Sequence, residues 1–185
     1  MTSAVTTEKK VAALLMDENA IAQKPSAEGC RDLPAAPWAG SVWAMSQYEP
    51  SPWEPIADHV ERYLSTNGED GFLWEGAETI VLTTTGAKSG KLRRTPLIRV
   101  TDGERYFCVA SMGGAPNNPQ WFHNMVANPA VTVQDRADVH QLTARVATPD
   151  EKAKYWSIAT AAWPAYDAYQ ASTERDIPLV ICEKA

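Results

Sequence analysis

Residues Thr79 to Val100, TIVLTTTGAKSGKLRRTPLIRV, constrain the fold more than any other stretch of the chain. An apolar and β-branched run from Ile80 to Thr85 meets the glycine-bounded turn Gly86-Ala87-Lys88-Ser89-Gly90, and a second β-rich run follows from Thr95 to Val100. Two such runs around a Gly-containing loop predict a β-hairpin, because branched side chains suit a pleated surface and glycine suits the turn. The loop and its return carry Lys88, Lys91, Arg93, Arg94 and Arg99, with no acidic residue from Thr79 through Thr101, in a chain of formal net charge −6. That local positive field suits an anionic ligand: glycines admit close backbone approach, and Lys, Ser and Arg supply donors for phosphate or carboxylate oxygens. A solvated, charged hairpin tip fits the same pattern equally well.

With 185 residues, 44% of them hydrophobic, the chain is long enough for one domain and a tail. A sequence pI near 5.1 argues against nucleic acid as the partner. Cys30, Cys108 and Cys182 lie far apart and the histidines are equally scattered. No metal-ligand spacing results, and the cysteines read as reduced thiols of a cytoplasmic protein. No apolar run approaches a membrane span. Lys9-Lys10 precede an apolar run, Val11 to Met16, that Asp17-Glu18-Asn19 end too soon for a signal peptide. Of the 13 prolines, Pro25, Pro34, Pro37, Pro50, Pro52 and Pro55 fall early, so residues 1–44 read as a loosely ordered extension. Met45 is a candidate natural start, and 45–185 is the expected domain.

Along that domain, Pro55 suits a first helical turn, with Ile56, Val60, Tyr63 and Leu64 on one stripe and Asn67-Gly68 as the stop. After the hairpin, Asp102-Gly103 is a turn signal and Arg105 to Ala110 a third strand. A Gly-rich loop, Ser111-Met112-Gly113-Gly114-Ala115-Pro116, precedes a helix from Gln120 that Asn118-Pro119 can cap and Asn128-Pro129 stop. Val131 to Gln134 and Val139 to Val146 read as strands. Thr148-Pro149-Asp150-Glu151 has the spacing of a capping box, opening a helix that stops near Trp163-Pro164, and Ile177 to Cys182 makes a last strand. Six strands with interspersed helices predict an α+β domain, a mostly antiparallel sheet or barrel with helices packed outside.

No dinucleotide fingerprint, P-loop, nucleophile elbow or zinc-protease motif is present. Three clusters remain: the basic hairpin, the SMGGAP loop with its helix, and the aromatics Trp163, Tyr166 and Tyr169. Singly, each has a plain structural explanation, with Trp121 and Phe122 as core, His123 as a hydrogen-bonding residue and the tyrosines as helix packing.

In this order, however, LTTTGAKSGKLRRTPLIRV, VASMGGAPNNPQWFHNMVANP and WPAYDAYQASTERDIPLVICE resemble the deazaflavin-dependent nitroreductase family, a mycobacterial type of split β-barrel (FMN-binding-like) reductase that uses coenzyme F420. The resemblance runs from about Tyr48 to Glu183. It implies that Ala87, Lys88 and Ser89, then Arg93, Arg94, Thr95, Pro96, Leu97 and Ile98, hold the coenzyme's phosphate and acidic tail. It places Val109, Ala110, Ser111 and Met112 beside the deazaflavin ring, has Gln120, Trp121, Phe122, His123 and Asn124 line the coenzyme, and has Tyr166 reach toward the ring. Three features depart from the family: Ala87 stands where Arg is common, Met112 where Lys, Leu or Arg is frequent, and Trp163 where the nitroimidazole-activating member has Tyr.

The implied reaction is hydride transfer from the reduced deazaflavin to a quinone, an enone or unsaturated lactone, or a nitroaromatic. Ser111, Tyr166 and Tyr169 are the candidate catalytic hydroxyls, donating hydrogen bonds to the substrate oxygen where negative charge develops. Two alternatives stand beside this one: an FMN-dependent split-barrel reductase, and a coenzyme F420 carrier without turnover. The expected partner is a small-molecule substrate, with no metal and no nucleic acid, in a monomer or homodimer. For apolar quinones, peripheral contact with the inner face of the cell membrane stays open.

Overall fold

A computed structural model describes residues 47–74 and 76–185, so the expected extension over 1–44 and the candidate start at Met45 lie outside the described residues. Within them the chain runs α1 (Glu54–Ser65), β1 (Leu73–Trp74), β2 (Ala77–Thr85), β3 (Leu92–Ile98), β4 (Tyr106–Val109), a 3-10 turn (Met112–Gly114), α2 (Gln120–Ala127), β5 (Ala130–Asp135), β6 (Asp138–Val146), α3 (Pro149–Ala162), α4 (Ala165–Ala171) and β7 (Leu179–Glu183).

The hairpin is the spine of the sheet. β2 pairs with β3 from Thr79↔Ile98 to Thr85↔Leu92, and its middle also pairs with β5. A strand covered on both edges and both faces needs apolar residues at successive positions, and Ile80, Val81 and Leu82 are all buried. The seven-stranded sheet has the order β1-β2-β5-β6-β7-β4, with β3 on β2, and every pair of strands is antiparallel. Its two ends then meet. The chain leaving β3 returns as β4, where Phe107 N–H donates to Val100 O at 2.9 Å and Thr101 bridges Tyr106. The sheet therefore curls into a half-closed, split barrel.

Two-residue periodicity divides the core. Tyr106 and Cys108 of β4, with Val180 and Cys182 of β7, face one cluster, which Trp121 and Met125 of α2 cover. Phe107 and Val109, with Leu179 and Ile181, face the other, which Tyr155 and Ala159 of α3 and Tyr166 of α4 cover. α1 buries Ile56, His59, Val60 and Tyr63. The Tyr63 hydroxyl donates to Thr79 O at 3.0 Å and accepts from Arg136 N–H at 2.8 Å, so one side chain ties α1 to the hairpin and to the β5–β6 turn.

The α+β antiparallel barrel expected from the sequence is present, with differences of detail. A seventh strand, Leu73–Trp74, is only two residues long and lacks any periodic signal. β3 begins at Leu92 rather than Thr95, because its register with β2 draws Arg93 and Arg94 into the strand despite their weak strand preference. The capping box at Thr148 is complete, whereas Asn118 does not cap α2; its carbonyl accepts instead from Arg175, at 2.6 Å.

Candidate functional site

The hairpin turn is locked by its own backbone. Gly86 N–H donates to Lys91 O at 2.8 Å, and Gly90 N–H donates to Gly86 O at 2.9 Å. A Cβ on Gly86 would lie 2.6 Å from Ser89 Oγ and 3.2 Å from Lys91 O, so the tight approach requires glycine there. This closure leaves Ala87, Lys88 and Ser89 on an exposed rim. α2 then reads the turn from below. Buried Asn124 accepts from Ala87 N–H at 3.0 Å and donates to Thr84 Oγ1 at 3.2 Å, while Asn128 donates to Thr85 O at 3.2 Å. Trp121 and Asn124, three apart on one helical face, thus send one side chain into the core and the other to the turn.

Between the turn, β3, α2 and the Gly-rich loop lies an open cavity of about 570 Å³. Ten of the residues named from the sequence line it: Ala87, Lys88, Ser89, Arg93, Arg94, Thr95, Met112, Gln120, Trp121 and Asn124. Others lie elsewhere. Pro96 and Ile98 are buried beside a small apolar pocket under α1, with Leu97. Val109 and Ala110 are core, Phe122 is half-buried behind α2, and His123 is exposed with Phe122 edge-on to it at 5.6 Å. Gly86 of the turn completes the lining with Ser51, Pro52, Ala115, Asn117 and Asn118, none of which carries a sequence signal for a site of its own. Ser51 and Pro52 come from a proline-rich approach with no periodic signal, and Asn118 had an adequate explanation as a helix cap.

The positive field is also redistributed. Arg99 is not part of it, because its guanidinium donates to Asp135 at 2.7 Å and to Glu78 at 3.2 Å, away from the cavity. An acid-free stretch of sequence is not acid-free in space: Glu49, from upstream, pairs with Arg93 and lies 3.6 Å from Lys91. The ring of Tyr48 sits 4.3 Å under the Arg94 guanidinium.

The opposite wall is a strained loop. Met112, Gly113 and Gly114 all have positive φ, of 47°, 61° and 85°. A Cβ on Gly114 would fall 2.1 Å from Ser172 Oγ and 3.0 Å from Tyr169 O, so the loop sits directly on α4, the helix carrying Tyr166 and Tyr169. Arg175 holds the loop from behind. Its guanidinium donates to Ala110 O at 2.9 Å, Ser111 O at 2.6 Å, Ala115 O at 2.7 Å and Asn118 Oδ1 at 2.6 Å. Desolvation lowers its proton affinity, and its fork is spent on neutral acceptors rather than a carboxylate. Arg175 lay inside a motif string but had no role assigned, since nothing local distinguishes it from a surface arginine.

Ser111 and Tyr166 are buried and Tyr169 is half-buried. Tyr166 lies 6.2 Å from Tyr169, edge-on, and 6.4 Å from Trp156. Burial pushes its phenol well above the ordinary value, with smaller contributions from Cys108 and Tyr169, so the hydroxyl is a neutral donor at any physiological pH. The structure brings together a cationic rim, Trp121 and a fixed loop around the cavity, whereas Ser111, Tyr166 and Tyr169 do not line it: Tyr166 is part of the core under α3 and α4, and Ser111 is buried at the start of the loop. Among the described residues, no cluster of His, Cys, Asp or Glu is arranged to hold a metal.

The sequence profile of the F420H(2)-dependent quinone reductases matches residues 56–184. An F420H(2)-dependent quinone reductase of Mycobacterium tuberculosis is 38% identical over 127 residues, 66% of this chain and 85% of that protein. A solved F420-H2 dependent reductase, FDR-A, is 46% identical with a TM-score of 0.54, over 57% of this chain and 93% of that one. A second structure, described as a domain-swapped dimer, is 43% identical with a TM-score of 0.57, over 68% of this chain and 95% of that one.

Proposed function

The chain belongs to the F420H(2)-dependent quinone reductase family, and on that premise we propose that it is an oxidoreductase passing a hydride from reduced coenzyme F420 to a quinone. The observation that carries the reading is the single cavity of about 570 Å³ onto which the basic turn, the Gly-rich loop and α2 converge. Its size is that of a cofactor site, and its rim is cationic where an acidic tail would lie. Lys88, Arg93 and Arg94 would hold the phosphate and tail, and Thr95, Met112, Gln120 and Trp121 the body of the coenzyme. When bound, the reduced coenzyme supplies the hydride.

The chain's own groups orient and polarise. Tyr166, kept protonated by burial, would donate a hydrogen bond to the quinone oxygen on which negative charge develops, with Ser111 and Tyr169 as further donors. Because its phenol resists ionisation, the proton that completes the hydroquinone comes from solvent rather than from Tyr166. Enones and nitroaromatics place developing charge on oxygen in the same way and are the next acceptors to test. The related domain-swapped dimer supports a homodimer, which analytical ultracentrifugation would test. Among the described residues, no helix is long and apolar enough to cross a membrane.

The test is a fluorescence titration with oxidised coenzyme F420, run beside FMN, followed by turnover with a soluble quinone. Micromolar binding that weakens about 3- to 10-fold in each of Lys88→Ala and Arg94→Ala, with quinone turnover, is the expected result. Clear FMN binding without deazaflavin binding would move the protein to the flavin class, and binding without turnover would make it a carrier.

A further inference from the structure

The anion site carries its own counter-anion. Residues 47–50 run along the outer edge of β3, where Leu92 N–H donates to Gln47 O at 2.7 Å and Glu49 N–H donates to Leu92 O at 3.0 Å. Those two main-chain bonds hold the Glu49 backbone on β3, and its carboxylate pairs with the Arg93 guanidinium and lies 3.6 Å from Lys91 Nζ. Next to it, Tyr48 covers Arg94, and Ser51 and Pro52 continue into the cavity wall. A carboxylate paired with the cations of an anion site occupies the position that an incoming carboxylate or phosphate would take.

We propose that Glu49 is a resident competitor at Arg93 and Lys91, which makes the site selective for a polyanionic tail that can use Lys88 and Arg94 over a single phosphate that must displace Glu49. The identity of the tail rests on the coenzyme F420 reading; the competition does not. All three side chains are partly exposed, at 33%, 51% and 40% for Arg93, Lys91 and Glu49, so each ion pair is worth no more than about a few-fold in affinity. A lone phosphate that displaces Glu49 exchanges one anion for another and gains little. A tail with several charges is held by Lys88 and Arg94 with Glu49 still on Arg93, so its binding does not require the displacement. The neutral isostere removes the competitor and should therefore help the single phosphate more than the tail.

The full chain and Glu49→Gln are titrated with inorganic phosphate by calorimetry, and with FMN and coenzyme F420 by fluorescence. The expected result is phosphate and FMN binding tightened about 3- to 10-fold by the substitution, with coenzyme F420 binding tightened by less than about 3-fold. Glu49→Asp, which keeps the charge, should retain the parent's discrimination. Weaker or unchanged phosphate binding in Glu49→Gln would mean that Glu49 orients Arg93 rather than competing for it, and would overturn the proposal. So would an absence of phosphate binding by both proteins, or an equal tightening of phosphate and coenzyme F420. Failure of the parent to bind coenzyme F420, with the phosphate effect intact, would sink the coenzyme reading alone.

Discussion

Lowering the pH from 7 to 5 should destabilise this protein through one buried imidazole. His59 lies on the inner face of α1, 1% exposed, stacked on Trp74 at 4.3 Å. Among the described residues, neither ring nitrogen has a hydrogen-bond partner. The nearby Gly71 carbonyl, already taken by the Thr79 hydroxyl at 2.8 Å, offsets desolvation only in part. Burial thus lowers the imidazole from its ordinary 6.5 to about 4. The unfolded chain binds the proton more tightly than the folded one, so stability is complete above pH 6.5 and falls as pH drops toward 4. Each unit of that window is worth about 1.4 kcal/mol, and the loss reaches about 2 kcal/mol at pH 5 and about 3 kcal/mol at full protonation. Urea denaturation of the parent and of His59→Leu at pH 7, 6 and 5 measures it. The substitution removes the titrating group, so the parent's stability should fall with pH more steeply than the variant's, by about 2 kcal/mol over this range. Parallel pH profiles would refute the argument, whatever the absolute stability of the variant.

The other expectations concern the site. Gly114→Ala meets both a positive φ and the Tyr169 carbonyl at 3.0 Å, which unlike the Ser172 hydroxyl cannot rotate away. It should cost about 2 kcal/mol in thermal or urea unfolding, and adding Ser172→Ala should not restore it. Asn124→Ala leaves Ala87 N–H and Thr84 Oγ1 without their partner; a loss of about 1–3 kcal/mol is expected, with coenzyme binding weakened in the same titration. Tyr166→Phe keeps the ring packing and removes the donor, so kcat should fall about 10- to 100-fold while the coenzyme's Kd is unchanged. Arg175→Lys keeps the charge but cannot reach Ala110, Ser111 and Ala115 carbonyls together; slower turnover with a lowered unfolding midpoint is expected.

What the sequence made legible was what is local. The hairpin, the capping box at Thr148 and the helix from Gln120 follow from neighbouring residues, and all three are present. The two-residue strand at Leu73 is invisible because its pairing, not its composition, makes it a strand. The site divides in the same way. Gly86 to Ser89 and Gln120 to Asn124 announce themselves by turn chemistry and helical spacing. Pro96, Leu97 and Ile98, inside the same motif, lie farther along β3 from the turn and line a separate apolar pocket under α1, a division by position along the strand that residue type does not reveal.

Charge was the least legible property, and its redistribution alters the chemistry. Counted along the chain, the hairpin holds five cations and no acid; in space Arg99 leaves the group and Glu49 joins it. Meanwhile Arg175, far from the hairpin in sequence, places a guanidinium against the carbonyls of the loop that forms the opposite wall. A cation bonded to neutral acceptors keeps most of its field, whereas one paired with a carboxylate loses much of it. The hairpin wall is therefore less positive than its sequence implies, and the loop wall has a cation behind it that the hairpin's sequence does not reveal. An anionic ligand would meet Lys88 and Arg94 at the exposed rim, where water screens the attraction, and a group reaching the loop would approach Arg175, where burial lowers the dielectric and the same charge acts more strongly.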